Sequence, residues 1–319
     1  MSNLKQASSL KGSIVAIVGP TGAGKSSLAI EMASHFNGEI INADSRQFYR
    51  RMDIATAKPS AQMFSRVPHH LIDILEPDEK YSLALYQRQA YSAIDDILER
   101  GKQPFLVGGS GLYVKSVLEG MNIPRGEPAF IRRSELEQVA VEKGSEHLYR
   151  QLQAVDPDAA AKIQSTNVRR VVRALEVYET TGRKFSETSG AQPRYRSLCI
   201  GLTCPRTELY RRIDERVDRM IEDGLVGEVK ALLKKGFSTD LPSMSGIGYS
   251  QITAFLEGKL SLEEAVQKIK FDTHNFARHQ YSWFRLKDAN INWLDITNDH
   301  LHEQACATIE KVVGKTKTV

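Results

Sequence analysis

The chain reads as an α/β protein, a parallel sheet interrupted by an inserted helical segment, and three observations predict this. Residues 13–18 (SIVAIV) form a short Ile- and Val-rich run that ends at Gly19, as a buried parallel strand does. Further strands are expected at 39–43, 104–108, 198–203 and 292–295, and helical segments between several of them favour a parallel sheet. Between about Gly126 and Gly190 the strand signal vanishes, and short helices punctuated by Gly144, Asp156-Pro157 and Gly182 replace it. The expected division is a core of 1–125 and 190–319 with a helical insertion at 126–189.

Each element has a local reason. After the first strand, Leu28, Met32 and Phe36 recur at helical spacing with Ala29 and Ala33 beside them, until Asn37-Gly38 stops the pattern. In the insertion, residues 167–180 are expected to bury Val168, Val172 and Leu175. Val171 and Tyr178 then lie near the edges, and Arg169, Arg170 and Arg173 fall largely elsewhere on the surface. Beyond Thr203 the chain turns mostly helical, with a capping box at Ser261 and Glu264 opening a long helix towards Arg285. Only the tail GKTKTV reads as frayed.

Composition bounds the function. With 319 residues, 41% hydrophobic and 26% charged, the chain can bury a sizeable core. Cys199, Cys204 and Cys306 have no CxxC pairing, so they read as reduced thiols packed as small hydrophobes. The opening MSNLKQASSLKGS lacks the apolar run of a secretory signal, and no stretch is long and apolar enough to span a bilayer. The expectation is a cytoplasmic, monomeric protein. A net charge of +4 permits a nucleic-acid partner without requiring one.

The strongest chemical signal is Gly19-Pro20-Thr21-Gly22-Ala23-Gly24-Lys25-Ser26, a full match to the phosphate-loop pattern GxxxxGK[ST] between an expected strand and an expected helix. Glycines let backbone N–H groups converge on phosphate oxygens, and the helix N-terminus adds positive potential. Lys25 neutralises phosphate charge, and the Ser26 hydroxyl can ligate Mg²⁺. The loop does not name the reaction. The second strand with a terminal acidic metal ligand, usual in NTPases, is missing, because PFLVGG runs into Gly108-Gly109-Ser110. HLID at 70–73 imitates it but is crowded by Pro68 and Glu76-Pro77, and reads as a loop. Asp44, just past the second strand, sits where parallel sheets place ligands. It reads either as a general base or metal partner, or as an Asx turn with Ser45.

The ordered set GPTGAGKS, NADSRQFYRRMDIATAKP, HHLID, VGGSGLY, RRVVRALEVYETTG, IDERVDRMIEDGLVGEV and HQYSWFR resembles the bacterial tRNA dimethylallyltransferase family over most of the chain. The resemblance implies a P-loop NTPase-like core and transfer of dimethylallyl from its diphosphate to the exocyclic amine of the adenine 3′ of the anticodon. It implies that residues 19–26 cradle diphosphate and that Asp44 takes the amine proton. Ser110 would lie near the bridging oxygen or Mg²⁺, and Arg216 would neutralise the leaving group. Asp44, Ser45, Arg46 and Gln47 are implied to hold the target adenine, and Arg169, Arg170, Val171, Val172 and Arg173 to contact the anticodon stem-loop. Without the resemblance, that arginine cluster is a solvated helix face. The aromatic and basic run Phe271, His274, Phe276, Arg278, His279, Tyr281, Trp283, Phe284 and Arg285 could stack on and neutralise RNA, but aromatics at this helical spacing are expected to be core, leaving His279 and Arg278 for phosphate.

The chain departs from the family at Ala55 (often Gly), Ser110 (Thr), Ser245-Gly246-Ile247-Gly248-Tyr249-Ser250 (a GYR motif flanked by arginine), and His274 and His279 (arginines). A family arginine before the insertion aligns with Ile131, so Arg132 serves only with a shift. The competing readings are a small-molecule or nucleoside kinase, and an RNA-binding module that keeps the loop as an anion site.

Overall fold

The computed structural model describes residues 10–123, 130–188 and 190–313. The opening residues 1–9, the insertion boundary at Gly126 and the tail 314–319 lie outside them. Six strands, β1 (Ser13–Val18), β2 (Gly38–Asn42), β3 (His69–His70), β4 (Gln103–Val107), β5 (Arg196–Thr203) and β6 (Ile291–Asp295), form one sheet in the order β3-β2-β4-β1-β5-β6. Every pairing is parallel. The helices are α1 (Lys25–His35), α2 (Ala61–Arg66), α3 (Leu83–Glu99), α4 (Gly111–Leu118), α5 (Phe130–Lys143), α6 (Ser145–Val155), α7 (Pro157–Ala160), α8 (Val168–Thr181), α9 (Arg206–Glu222), α10 (Leu225–Lys234), α11 (Tyr249–Leu256), α12 (Leu262–Trp283) and α13 (Leu301–Val313). No helix among the described residues is long and apolar enough to cross a membrane.

The expected strands all form, and β1, β2 and β4 are buried along nearly their whole length, as the inner strands of a covered parallel sheet are. HLID contributes only His70, the second residue of the two-residue edge strand β3. Its Asp73 follows that strand in a left-handed turn (φ 54°) and pairs with Lys58, so it is no strand-end metal ligand. The capping box forms as expected: Ser261 Oγ accepts from Glu264 N–H at 3.2 Å and Glu264 accepts from Ser261 N–H at 2.7 Å. The cysteines are free and partly buried, and burial pushes the Cys199 thiol up to about 12.

The chain divides into two compact units. One takes in the described residues of 1–81, 87–118 and 194–319, and the other those of 82–86 and 119–193. The second unit starts before and ends after the expected 126–189. Its core joins Leu136, Leu148, Leu152, Ile163, Val171, Val172 and Leu175. Asp156, 1% exposed, caps α7 through Ala159 N–H and accepts from Ser186 N–H and Oγ.

At the outer end of β2, Glu39 is 1% exposed and bonds Arg100, Lys102 (2.7 Å) and His70 (2.8 Å). Arg100 above all holds its carboxyl well below the usual carboxylate range, against the opposing effect of burial. A depressed carboxylate pKa stabilises the fold fully above the unfolded value of about 4.3, and this is lost as pH falls below it. Glu39→Gln is expected to cost about 3 kcal/mol, the low end for breaking a buried ion pair because Arg100 and Lys102 keep access to solvent. Urea denaturation at pH 7 and pH 3.5 checks both points, and the loss is expected to shrink at the lower pH.

Candidate functional site

Sheet register assembles the site. Val107 of β4 pairs with Ile17 of β1 and with Asn42 of β2, so three neighbouring strands end at one level. The loops that leave them carry residues 19–26, Asp44 and Ser110. Backbone bonds tie these loops together: Gly108 N–H donates to Ile17 O (3.2 Å), Ala43 N–H to Val107 O (2.7 Å) and Ser110 N–H to Ala43 O (3.3 Å). The result is a cavity of about 1440 Å³ over the carboxyl edge of the sheet, where ligands of open α/β sheets bind.

Thr21, Gly22, Gly24, Lys25, Ser26, Asp44, Ser45, Arg46, Gln47, Ser110 and Arg216 all line this cavity. Gly19, Pro20 and Ala23 do not. Gly19 packs against the backbone of Leu202, and Ala23 is fully buried with its N–H turned to Pro20 O at 3.3 Å. These three shape the loop rather than line the space an anion would enter, a correction to the expectation that all eight residues touch it.

The Lys25 ammonium donates to Pro20 O at 2.8 Å, and burial lowers its pKa to about 8, with nearby Asp44 opposing and Arg216 adding. Arg216, from α9, donates through Nη2 to Thr21 Oγ1 at 2.7 Å. Burial lowers its pKa too, with Asp44 opposing. Its Nε is buried without a hydrogen-bond partner among the described residues. An unpartnered buried donor beside a half-buried ammonium is costly unless an anion completes it.

Of the two readings open to Asp44, the turn is formed. Asp44 Oδ1 accepts from Arg46 N–H at 2.9 Å, an Asx turn, and its own N–H donates to Asn42 Oδ1 at 2.8 Å. Oδ2 makes no hydrogen bond among the described residues, so the turn aims one oxygen and leaves the other to accept a proton. Ser110 Oγ accepts from Ser45 N–H at 3.1 Å and lies 3.3 Å from Ser45 Oγ. The side chains of Arg46 and Gln47 are partly engaged, Arg46 with Pro242 O (2.7 Å) and Gln47 Nε2 with Thr56 O and Ala57 O.

In the second unit, Val171 and Val172 are each 1% exposed and belong to its core, so their side chains are not contact surface. Helix α8 is buried at 171, 172 and 174–177, a wider stripe than one packed face needs, because both α5 and α6 pack on it. Arg173 pairs with buried Glu176 at 2.9 Å, which also holds Arg133. Arg169 and Arg170 are exposed and form no ion pair among the described residues. Arg132 pairs with Glu179 and Glu135. His274 stacks on Tyr210, ring centroids 3.9 Å apart, with Nε2 2.8 Å from Asp214 Oδ1.

Sequence reasoning missed Gln280, which is 4% exposed on α12. Its Oε1 accepts from Thr21 N–H at 2.7 Å, and its Nε2 donates to Gly109 O at 2.9 Å. One buried amide therefore fixes the phosphate loop against the Ser110 loop, and Gly109 has no Cβ because the amide occupies that space. Gln280→Leu is expected to lower kcat by about 10- to 100-fold through misplaced reacting groups, and Gln280→Glu less. Steady-state kinetics with both variants and their thermal melts checks this; a folded Gln280→Leu enzyme at full kcat rejects it. The only cue in the sequence was the HQ of HQYSWFR.

A profile of the IPP transferase family matches residues 47–287. A tRNA dimethylallyltransferase of Thermomicrobium roseum is 52% identical over 299 residues, covering 93% of this chain and 91% of its own. One from Carboxydothermus hydrogenoformans is 49% identical over 91% of this chain and 94% of its own. Among solved structures, a full-length tRNA isopentenylpyrophosphate transferase from Bacillus halodurans has a TM-score of 0.69 at 41% identity, covering 94% of this chain and 97% of its own. A eukaryotic dimethylallyltransferase acting on tRNA has a TM-score of 0.81 at 28% identity, covering 97% and 81%. With a family profile over most of its length and relatives matched nearly end to end, the chain belongs to the IPP transferase family.

Proposed function

We propose that the protein is a tRNA dimethylallyltransferase working as a cytoplasmic monomer on the anticodon stem-loop. The observation that carries this reading is the convergence of Lys25, Arg216, Asp44 and Ser110 on one cavity, all from a single chain. Two cations and a helix N-terminus await an anionic leaving group, and a carboxylate with one free oxygen stands beside them.

The adenine N6 attacks C1 of the dimethylallyl group, the C1–O bond breaks, and its electron pair leaves with diphosphate. The N6 proton passes to Asp44 Oδ2. Lys25 and Arg216 lower the barrier by meeting charge that develops on the departing oxygens. Ser110 Oγ, set by Ser45, offers a hydroxyl towards the bridging oxygen. Asp44 to Gln47 form the wall against which an extruded base would be read.

The donors here suit Mg²⁺. The Ser26 hydroxyl in the phosphate loop offers a hard oxygen ligand beside the place the diphosphate would take. Bound there, the ion would add Lewis-acid neutralisation of the leaving group.

The test is incubation with Mg²⁺, unmodified tRNA bearing adenine 3′ of the anticodon, and either dimethylallyl diphosphate or ATP, followed by digestion and nucleoside mass analysis. Dimethylallyl adenosine is expected in the first reaction and none in the second. Its absence with an active, folded preparation sinks the reading.

Lys25 gives this activity a basic limit. The ammonium binds diphosphate only while protonated, and its pKa lies at about 8. For the donor, kcat/KM, which reports the free enzyme, is expected to fall by about tenfold per pH unit above that value. A profile flat to pH 9.5 contradicts it.

A further inference from the structure

The cavity has an apolar rim that the chemistry above does not use. Three of its lining residues are large hydrophobics left open to solvent, Leu112 at 38%, Phe276 at 41% and Trp283 at 41%. Phe276, His279 and Trp283 share a face of α12 at spacings of three and four residues, while Gln280 between them turns to the phosphate loop. Trp283 occupies the space a Cβ of Gly111 would take, so its side chain packs against the start of α4.

We infer that Phe276 and Trp283 are a stacking platform for the nucleobases that flank the target adenine. The inference rests on the tRNA reading above and deepens it. Three features choose RNA bases over the prenyl tail. A five-carbon tail beside a reactive allylic centre needs an enclosed, dry slot, whereas these rings keep two-fifths of their surface wet. Seven residues of helix separate them by about 10 Å along the axis, room for more than one base at the roughly 3.4 Å spacing of a strand. The cavity is cation-rich, lined by seven Lys and Arg against five Asp and Glu, as suits a phosphate backbone running past a stacking surface. Exposed aromatics beside such a groove are the usual means of holding splayed single-stranded bases.

The chain has two tryptophans, Trp283 and Trp293, so in a Trp293→Phe background Trp283 is the sole reporter. A synthetic anticodon stem-loop with adenine 3′ of the anticodon is expected to quench and shift its emission. The same hairpin made abasic on both sides of that adenine is expected not to. Trp283→Leu and Phe276→Ala should each weaken hairpin binding about tenfold, while Trp283→Phe, which keeps the π-face, stays within about threefold. Affinity for dimethylallyl diphosphate should hold within about twofold in all three. Circular dichroism confirms that each variant is folded.

Wild-type hairpin affinity in Trp283→Leu, or equal binding of the abasic hairpin, overturns the platform. So does a loss confined to the diphosphate donor, which assigns the rings to the prenyl tail. The binding readout is independent of turnover. Platform quenching without any dimethylallyl adenosine rejects the reaction and keeps the platform, and turnover without quenching does the reverse.

Discussion

Asp44→Asn is expected to lower kcat by on the order of a hundredfold or more while changing affinity for the diphosphate donor far less. The substitution is chosen for its geometry. Asn keeps an Oδ1 to accept from Arg46 N–H, the 2.9 Å bond that forms the turn, so the loop stays in place. What it loses is the second carboxylate oxygen, which has no partner among the described residues and takes the N6 proton. Asp44→Ala removes the turn as well and should be worse in both kcat and stability. A second consequence follows from charge. Asp44 raises the pKa of Lys25, so neutralising it should move the basic limb of the donor kcat/KM profile below about pH 8. Single-turnover rates with both substrates saturating measure the loss in the chemical step, and donor kcat/KM across pH measures the shift of the limb. An unchanged turnover rate refutes the base assignment.

Much of this site was legible in the sequence because its parts obey local rules. A buried parallel strand must be apolar on both faces, so SIVAIV announced β1, and a phosphate loop must follow such a strand. Asp44 and Ser110 were legible as residues just past strand ends. That they meet depends on register, the pairing of Val107 with both Ile17 and Asn42, which no local pattern encodes.

The misses have a common physical origin in packing from more than one side. Val171 read as an edge position because one amphipathic stripe was assumed, but α8 is covered by two helices and buries it. On α12 the error ran the other way. Phe276 and Trp283 were expected in the core by their spacing, yet that face borders an open cavity and stays two-fifths exposed. The polar Gln280 beside them is the buried residue. A glutamine on a helix has no periodic signature of being buried, since its burial is made possible by partners 259 and 171 positions away. The Asx turn and the proposed base seemed alternatives in sequence because a single residue letter cannot show that the turn engages only one of the two oxygens.

Arg216→Ala is expected to lower kcat by about 10²- to 10³-fold, or about 3–4 kcal/mol of transition-state stabilisation, the usual cost of removing one preorganised donor to a developing charge. Three features place it among the largest effects. The guanidinium is half-buried in the cavity wall, so its interaction with the leaving diphosphate is less screened than at an open surface. It is aimed by its 2.7 Å bond to Thr21 Oγ1, within the phosphate loop itself. Its Nε is a buried donor with no partner among the described residues, so the ground-state protein already bears the cost that the leaving group relieves. Arg216→Lys should recover only part of the loss, because one ammonium cannot hold Thr21 and meet diphosphate oxygens in a planar fork. The two cations also differ in what they report. Loss of Arg216 removes a neighbour that lowers the Lys25 pKa, so the basic limb of the donor profile should move up in Arg216→Ala, opposite to its movement in Asp44→Asn. Single-turnover rates at saturating donor and tRNA test the kcat loss, and the donor kcat/KM profiles of the two variants, overlaid across pH, test the limbs. A kcat within tenfold of wild type, or limbs that shift in the same direction, would remove Arg216 from the leaving-group site.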